Sequence, residues 1–199
     1  MPSYEFEQAK YQEGYTAVCG VDEAGRGPLC GPVVAAAVIL PMGLIIEGLD
    51  DSKKLSEKKR EKLYTEIIEN AIAYGIAEAS PLEIDEINIL NASQLAMRRA
   101  VERLKVKADF ALIDGNCSRG FQIPTETVVK GDSKSYSIAA ASILAKVTRD
   151  RGCIELDRLY PEYGIAKHKG YPTKDHMQAV RDFGPSEIHR KSFLGFLEK

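Results

Sequence analysis

Short apolar runs alternate with amphipathic stretches along this chain, and their spacing predicts five strands and several longer helices. Residues 16–21 suit a strand that ends at Asp22. Residues 33–40 form a second, hydrophobic almost without interruption and therefore expected to be buried on both faces. A glycine-rich turn between them makes the pair a hairpin. Ser56 offers an N-cap to a helix that runs through Leu63, Ile67 and Ile68 with charges on its outer face. Residues 72–79 read as a third strand. Pro81 opens a short acidic helical turn, and a helix over 88–104 follows, with Asn88 and Asn91 placed to cap it. Residues 110–113 are a fourth strand ending at Asp114, and 125–129 a fifth ending near Asp132. The longest helix is expected over 135–160, where a run of alanine and serine, 137–142, permits close packing on a sheet. Two further helical pieces, at 174–183 and near the C-terminus, are separated by Gly184-Pro185.

Strands first, then helices interleaved with strands, predict an α/β fold, a mixed β-sheet flanked by helices. At 199 residues the chain fills one core, so residues 1–199 are expected to form a single domain with about 163–199 as a small helical extension. The acidic start is no signal peptide, and the longest apolar run, 32–40, is too short for a bilayer. A cytoplasmic location without membrane association is the expectation. Cys19, Cys30, Cys117 and Cys153 are widely spaced, which argues against a zinc site and a disulfide framework. His168, His176 and His189 likewise lack metal-ligand spacing. No coiled-coil pattern stands out, so a monomer without an obligate protein partner is expected.

The chemistry lies in the acids at the strand ends. Asp22 and Glu23 close the first strand, and Asp114 and Asp132 each end a later one beside a glycine that admits a ligand. Carboxylates gathered at one end of a sheet repel one another, so they raise their pKa values or recruit a cation. Oxygen donors without Cys or His suit Mg²⁺ or Mn²⁺. Two such ions about 4 Å apart would clamp a scissile phosphate, which fits phosphodiester hydrolysis.

The net charge of −2 gives no global sign of a nucleic-acid binder, so any such surface must be local. Lys53, Lys54, Lys58, Lys59, Arg60 and Lys62 form the densest basic cluster, with Glu57 and Glu61 interleaved. Ser142, Lys146 and Arg149 make one stripe on the long helix, facing a duplex backbone or pairing with acids such as Asp150. His168 and Lys169 read as a phosphate-contacting or exposed loop.

Several blocks taken together carry a resemblance: Gly20-Val21-Asp22-Glu23-Ala24-Gly25-Arg26-Gly27-Pro28, Asp51-Ser52-Lys53-Lys54-Leu55, Asp114-Gly115, Lys130-Gly131-Asp132, the stretch 139–150, His168-Lys169-Gly170-Tyr171-Pro172-Thr173 and His189-Arg190-Lys191-Ser192-Phe193. In this order they closely resemble the ribonuclease HII family. The resemblance implies a ribonuclease H-like fold and an endonuclease that hydrolyses the RNA strand of RNA–DNA hybrids. It also implies cutting 5′ of single ribonucleotides embedded in duplex DNA, for ribonucleotide and RNA-primer removal. Asp22, Glu23, Asp114 and Asp132 are then the catalytic, metal-binding acids. Gly25, Arg26, Gly27 and Tyr171 are the residues that read the junction between a ribonucleotide and the next deoxyribonucleotide, where the 2′-OH separates RNA from DNA. Lys53, Lys146, Arg149, His168 and Lys169 are further substrate-binding candidates.

Other classes fit less well. A dinucleotide binder would need G-x-G-x-x-G, which 25–31 does not spell, and two acids would repel its pyrophosphate. A non-catalytic binding module would lack acids that are all present. The related ribonuclease HIII family resembles this one in its acids but usually has Gly-Thr-Gly where this chain has Gly25-Arg26-Gly27.

Overall fold

The computed structural model describes residues 2–198. Its centre is a five-stranded sheet in the order β3-β2-β1-β4-β5, built from β1 (Val18–Ala24), β2 (Val33–Ile39), β3 (Ala73–Ala79), β4 (Phe110–Asp114) and β5 (Thr125–Val128). The first three strands are antiparallel neighbours, whereas β4 joins β1 and β5 joins β4 in parallel. The sheet is therefore mixed, as the element order predicts. β2 is buried at every position, in keeping with its unbroken apolar run. β3, at the edge, alternates buried and more exposed residues, as a strand with one wetted face does.

Helices cover both faces. α3 (Pro81–Glu102) packs Ala92, Ala96, Met97 and Ala100 against Cys19 and Val21 of β1, Val33 and Ala35 of β2 and Ile113 of β4. On the opposite face lie α4 (Tyr136–Leu159) and α2 (Glu57–Asn70), with Ala140, Ile143 and Leu144 meeting Ala36, Val38, Leu63 and Ile67. The small residues of α4 let it approach closely: a Cβ on Gly20 would overlap the backbone of Ser137 and Ile138. Ser56 caps α2 and Ser135 caps α4. Ser80 and Glu83 form a reciprocal capping box at the start of α3.

Asn88 interrupts α3 with φ 66° and ψ 163°, and its side chain accepts from Asn91 N–H at 3.1 Å. The expected capping role and the expected division into two helical pieces both appear there. A helix near the N-terminus was not expected. α1 (Glu5–Gln12) buries Glu7, whose Oε1 accepts from Ser135 Oγ (2.5 Å), Ser137 N (2.9 Å) and Ser137 Oγ (2.6 Å). A carboxylate so placed also meets the positive end of the α4 dipole.

Past α4 come α5 (Ile165–His168) and α6 (Lys174–Phe183), while the expected helix near the C-terminus is only two short 3₁₀ turns, Lys191–Phe193 and Gly195–Glu198. These pieces share a small core of Tyr163, Ile165, Val180, Ile188 and Leu194 with Leu29, Cys30 and Cys153. Among the described residues no helix is long and apolar enough to cross a membrane, and all four cysteines are free.

Candidate active site

Strand alternation puts Val18, Gly20 and Asp22 of β1 on one face, and Phe110, Leu112 and Asp114 of β4 on the same face. That face meets α4, since Val18, Phe110 and Leu112 pack on Ile138. The parallel register pairs Val21 with Ile113, so Asp22 and Asp114 stand side by side one residue further on. Asp132 follows β5 in a 3₁₀ turn, Gly131–Ser133. Asp114 Oδ1 ties that turn to β4 by accepting from Gly131 N at 2.6 Å and Asp132 N at 3.4 Å. β1 continues through Ala24, so the chain turns at Gly25 (φ 96°) rather than at Asp22. Glu23 stays near the group, with Arg26 Nη1 3.4 Å from its Oε1.

The acids perturb one another. Burial pushes the Asp22 carboxyl well above the usual range, and the charges of Glu23, Asp114 and Asp132 push in the same direction. Glu23 is raised by burial against the opposing pull of Arg26. Asp132 is raised by burial, then by Asp114 and by Asp51, a carboxylate of the block 51–55 that was not singled out as a site residue. Lys53 Nζ lies 3.7 Å from Asp132 Oδ2. Although burial works the other way, Asp132 and Asp22 hold its ammonium above the ordinary range. A close-set group of buried and half-buried carboxylates with oxygen donors alone fits hard divalent cations.

Two cavities meet at this group and share Lys53. One, of ≈ 320 Å³, is lined by Asp22, Glu23, Gly25, Arg26, Gly27, Lys146, Arg149 and Tyr171. The other, of ≈ 500 Å³, is lined by Asp114, Asp132, Asp51 and Lys130. Tyr171 is 44% exposed, and a Cβ on Gly27 would sit 3.5 Å from its ring. The structure therefore gathers the four acids, the Gly25–Gly27 turn, Tyr171, Lys53, Lys146 and Arg149.

Each basic candidate has a specific setting. Lys146 Nζ donates to Asp150 Oδ1 at 2.7 Å, the acid-pairing alternative for the stripe, while Ser142 Oγ bonds Ser52 Oγ at 2.7 Å. Arg149 is buried, donates from Nη2 to the Lys169 carbonyl at 3.0 Å and lies so close to Gly25 that a Cβ there would overlap its guanidinium. Lys54 pairs with Asp50 and Arg60 with Asp150, so part of the basic cluster is already neutralised. His168 does not stand in an exposed loop: it is half-buried, and both ring nitrogens engage backbone groups. Lys169 lines neither cavity.

Arg190 is the residue that local sequence reasoning passed over. Fully buried, it donates to the carbonyls of Gly25 (Nη2, 2.7 Å), Arg26 (Nη1, 3.0 Å) and Gly31 (Nε, 2.9 Å). Its guanidinium lies 5.3 Å from the Phe193 ring centroid. The only signal was its place in the block His189 to Phe193, which says nothing of a contact 165 residues away.

The family model for ribonuclease HII matches residues 19–195, from the first buried strand to the last turn. This chain belongs to the ribonuclease HII family. A ribonuclease HII from Caldicellulosiruptor saccharolyticus is 54% identical over 191 residues, 96% of this chain and 93% of that one. The crystal structure of the ribonuclease H2 from Pyrococcus horikoshii OT3 superposes with a TM-score of 0.75 at 29% identity, over 92% of this chain and 97% of the other. That of Bst-RNase HIII in complex with Mn²⁺ gives 0.71 at 19% identity, over 96% and 70%, and so shares the fold. As a member of the ribonuclease HII family the protein is an endoribonuclease acting on RNA–DNA hybrids.

Proposed function

We propose that this enzyme cuts the RNA strand of hybrids and the 5′ side of single ribonucleotides embedded in duplex DNA, leaving 3′-hydroxyl and 5′-phosphate ends. Ribonucleotide removal from DNA and RNA-primer removal follow from that activity. The observation that carries the reading is the convergence of four acids from β1, β4 and the turn after β5 beside Gly25–Gly27 and Tyr171. Asp22, Glu23, Asp114 and Asp132 would hold two divalent ions, Mg²⁺ or Mn²⁺. Such ions, when bound, activate a water and stabilise the leaving oxygen.

The chain's own groups place the substrate. The glycines at 25 and 27 let backbone N–H and C=O groups reach a sugar, Arg26 extends from the same turn, and the Tyr171 ring offers a face for the next sugar with a hydroxyl to orient it. Lys53 stands beside Asp132, where it would meet a phosphate flanking the cut, and Arg149 backs both Gly25 and Tyr171. The enzyme would act as a monomer in the cytoplasm, as one domain, without an obligate partner.

A labelled DNA duplex carrying one ribonucleotide, incubated with Mg²⁺, Mn²⁺ or EDTA beside an all-DNA control, tests this. A metal-dependent cut at the ribonucleotide alone is expected. Cutting of both duplexes would indicate a general nuclease, and cutting of long hybrids only would indicate specificity like that of ribonuclease HIII.

A further inference from the structure

The chain has three histidines, and all three converge behind Tyr171. The rings of His168 and His176 stack with centroids 4.3 Å apart and planes 18° from parallel, and His189 lies 5.5 Å from His176. His176 and His189 are buried.

The hydrogen bonds fix which nitrogen of each ring carries the proton. His168 Nδ1 accepts from Gly170 N at 3.2 Å, so Nε2 bears the proton and faces the Tyr163 carbonyl at 2.9 Å. His189 Nδ1 accepts from Ser186 N at 3.1 Å, so its Nε2–H points at His176 Nε2, 3.4 Å away. His176 Nε2 must then accept, which leaves its proton on Nδ1, facing the Tyr171 carbonyl at 3.0 Å. Three neutral rings satisfy every one of these contacts with one proton each. Burial, which disfavours imidazolium, keeps His176 below its ordinary range and pushes His189 down to about 4.

Cys30 Sγ and nitrogens of His176 and His189 lie within 4.8 Å of one another, a spacing that also suits a zinc ion. The same hydrogen bonds oppose a metal. His189 Nε2 offers a lone pair only if Nδ1 is protonated, and Nδ1 already receives the Ser186 N–H. Burial pushes the Cys30 thiol up to about 12, so the thiolate is disfavoured as well.

We propose that these rings are a relay of fixed tautomers that positions Tyr171, with His176 as the positioning residue. It rests on the reading of Tyr171 as a substrate contact. The relay grips the segment at both ends of Tyr171. Gly170 is held between His168 and Leu29, whose N–H donates to the Gly170 carbonyl at 2.8 Å. The Tyr171 carbonyl takes His176 Nδ1–H together with Thr173 N–H. Its ring is thereby set against Gly27, with His176 and His189 buried behind it.

Two measurements test this. In ¹⁵N NMR at neutral pH, three histidines should give two Nε2–H tautomers and one Nδ1–H tautomer, His176, unchanged by one equivalent of Zn²⁺. An Nε2–H tautomer at His176, or Zn²⁺ bound by its ring, overturns the relay, and this holds whether or not any variant folds. Kinetically, His176→Phe keeps an aromatic ring for stacking, though a larger one, and loses both nitrogens. It should lower kcat/KM on the single-ribonucleotide duplex about tenfold, the scale of one lost hydrogen bond, and have no further effect in a Tyr171→Ala background. If Tyr171→Ala alone leaves kcat/KM unchanged, the reading of Tyr171 fails and takes the inference with it. If Tyr171→Ala impairs the enzyme and His176→Phe acts equally in both backgrounds, the inference fails alone.

Discussion

Replacing Gly20 with alanine probes how tightly the strand that carries Asp22 and Glu23 is seated. A Cβ at Gly20 would lie 2.5 Å from Ser137 Oγ and nearer still to backbone atoms of Ser137 and Ile138. Ordinary contact begins near 3.4 Å, so even the side-chain contact falls short by about 0.9 Å, and the backbone cannot rotate away. Either α4 lifts from β1 or β1 bows outward, and Asp22 is two residues along that strand. Overpacking of this kind costs about 3 kcal/mol, which at roughly 2–4 °C per kcal/mol for a chain of this size lowers Tm by about 6–12 °C. A displacement of about 1 Å at the acids costs on the order of 100-fold in rate. Calorimetry and initial rates on a hybrid substrate measure the two effects. Gly152 is the control, because it lies within α4 with nothing within 4 Å of a built Cβ. Gly152→Ala should keep full activity and gain about 0.5–1 kcal/mol from helix propensity. Gly20→Ala with unchanged Tm and rate would refute the argument, and so would two variants that behave alike.

Further predictions concern the charged groups. Asp22→Asn or Asp132→Asn should suppress cleavage while sparing the fold. Because burial and its neighbours raise the folded-state pKa of Asp22, the stability it contributes when protonated is lost as pH rises through that pKa. The metal-free Tm of Asp22→Asn should therefore match wild type in acid and exceed it increasingly toward neutral pH; a constant difference would contradict the assignment. Arg190→Lys keeps a cation but not the planar fork that serves three carbonyls, so it should cost about 2–4 kcal/mol and impair cleavage more than Mn²⁺ binding, as titration calorimetry can show. Glu7→Ala strands Ser137 N–H and two hydroxyls at the start of α4 and should cost about 3 kcal/mol in denaturant unfolding.

Local pattern was enough for the strands and the acids because each acid lies at or just past the end of an apolar run, although Asp132 is finally placed by a turn that Asp114 ties to β4. Ser56 was legible as a cap for the same reason, as it acts within four residues. Helix α1 was not, since EFEQAKYQ shows no apolar stripe and its anchor, Glu7, bonds to residues 128 and 130 positions away. The C-terminal turns fell short of a helix where the segment takes its order from Asp85, which accepts from Lys191 and Ser192 N–H. Lys146 and Arg149 could be set on one stripe by counting, but only packing shows that Arg149 is buried against Gly25 while Lys146 pairs with Asp150. Arg190 and the histidine contacts depend on several loops at once, and no spacing rule encodes that.

The distance in sequence between Arg190 and the turn it grips has a bearing on how the protein is made. The Gly25 carbonyl and its guanidinium partner are 165 residues apart, which at a synthesis rate of about 5–20 residues per second means a delay of roughly 8–33 s. During that interval the growing chain carries Asp22 and Glu23 from the start, and Asp114 and Asp132 only in the second half, while the carbonyls of Gly25, Arg26 and Gly31 still lack their guanidinium donor. The acids of the site are thus synthesised before the guanidinium that fixes the Gly25–Gly27 turn beside them, so translation order leaves that turn to be secured after them.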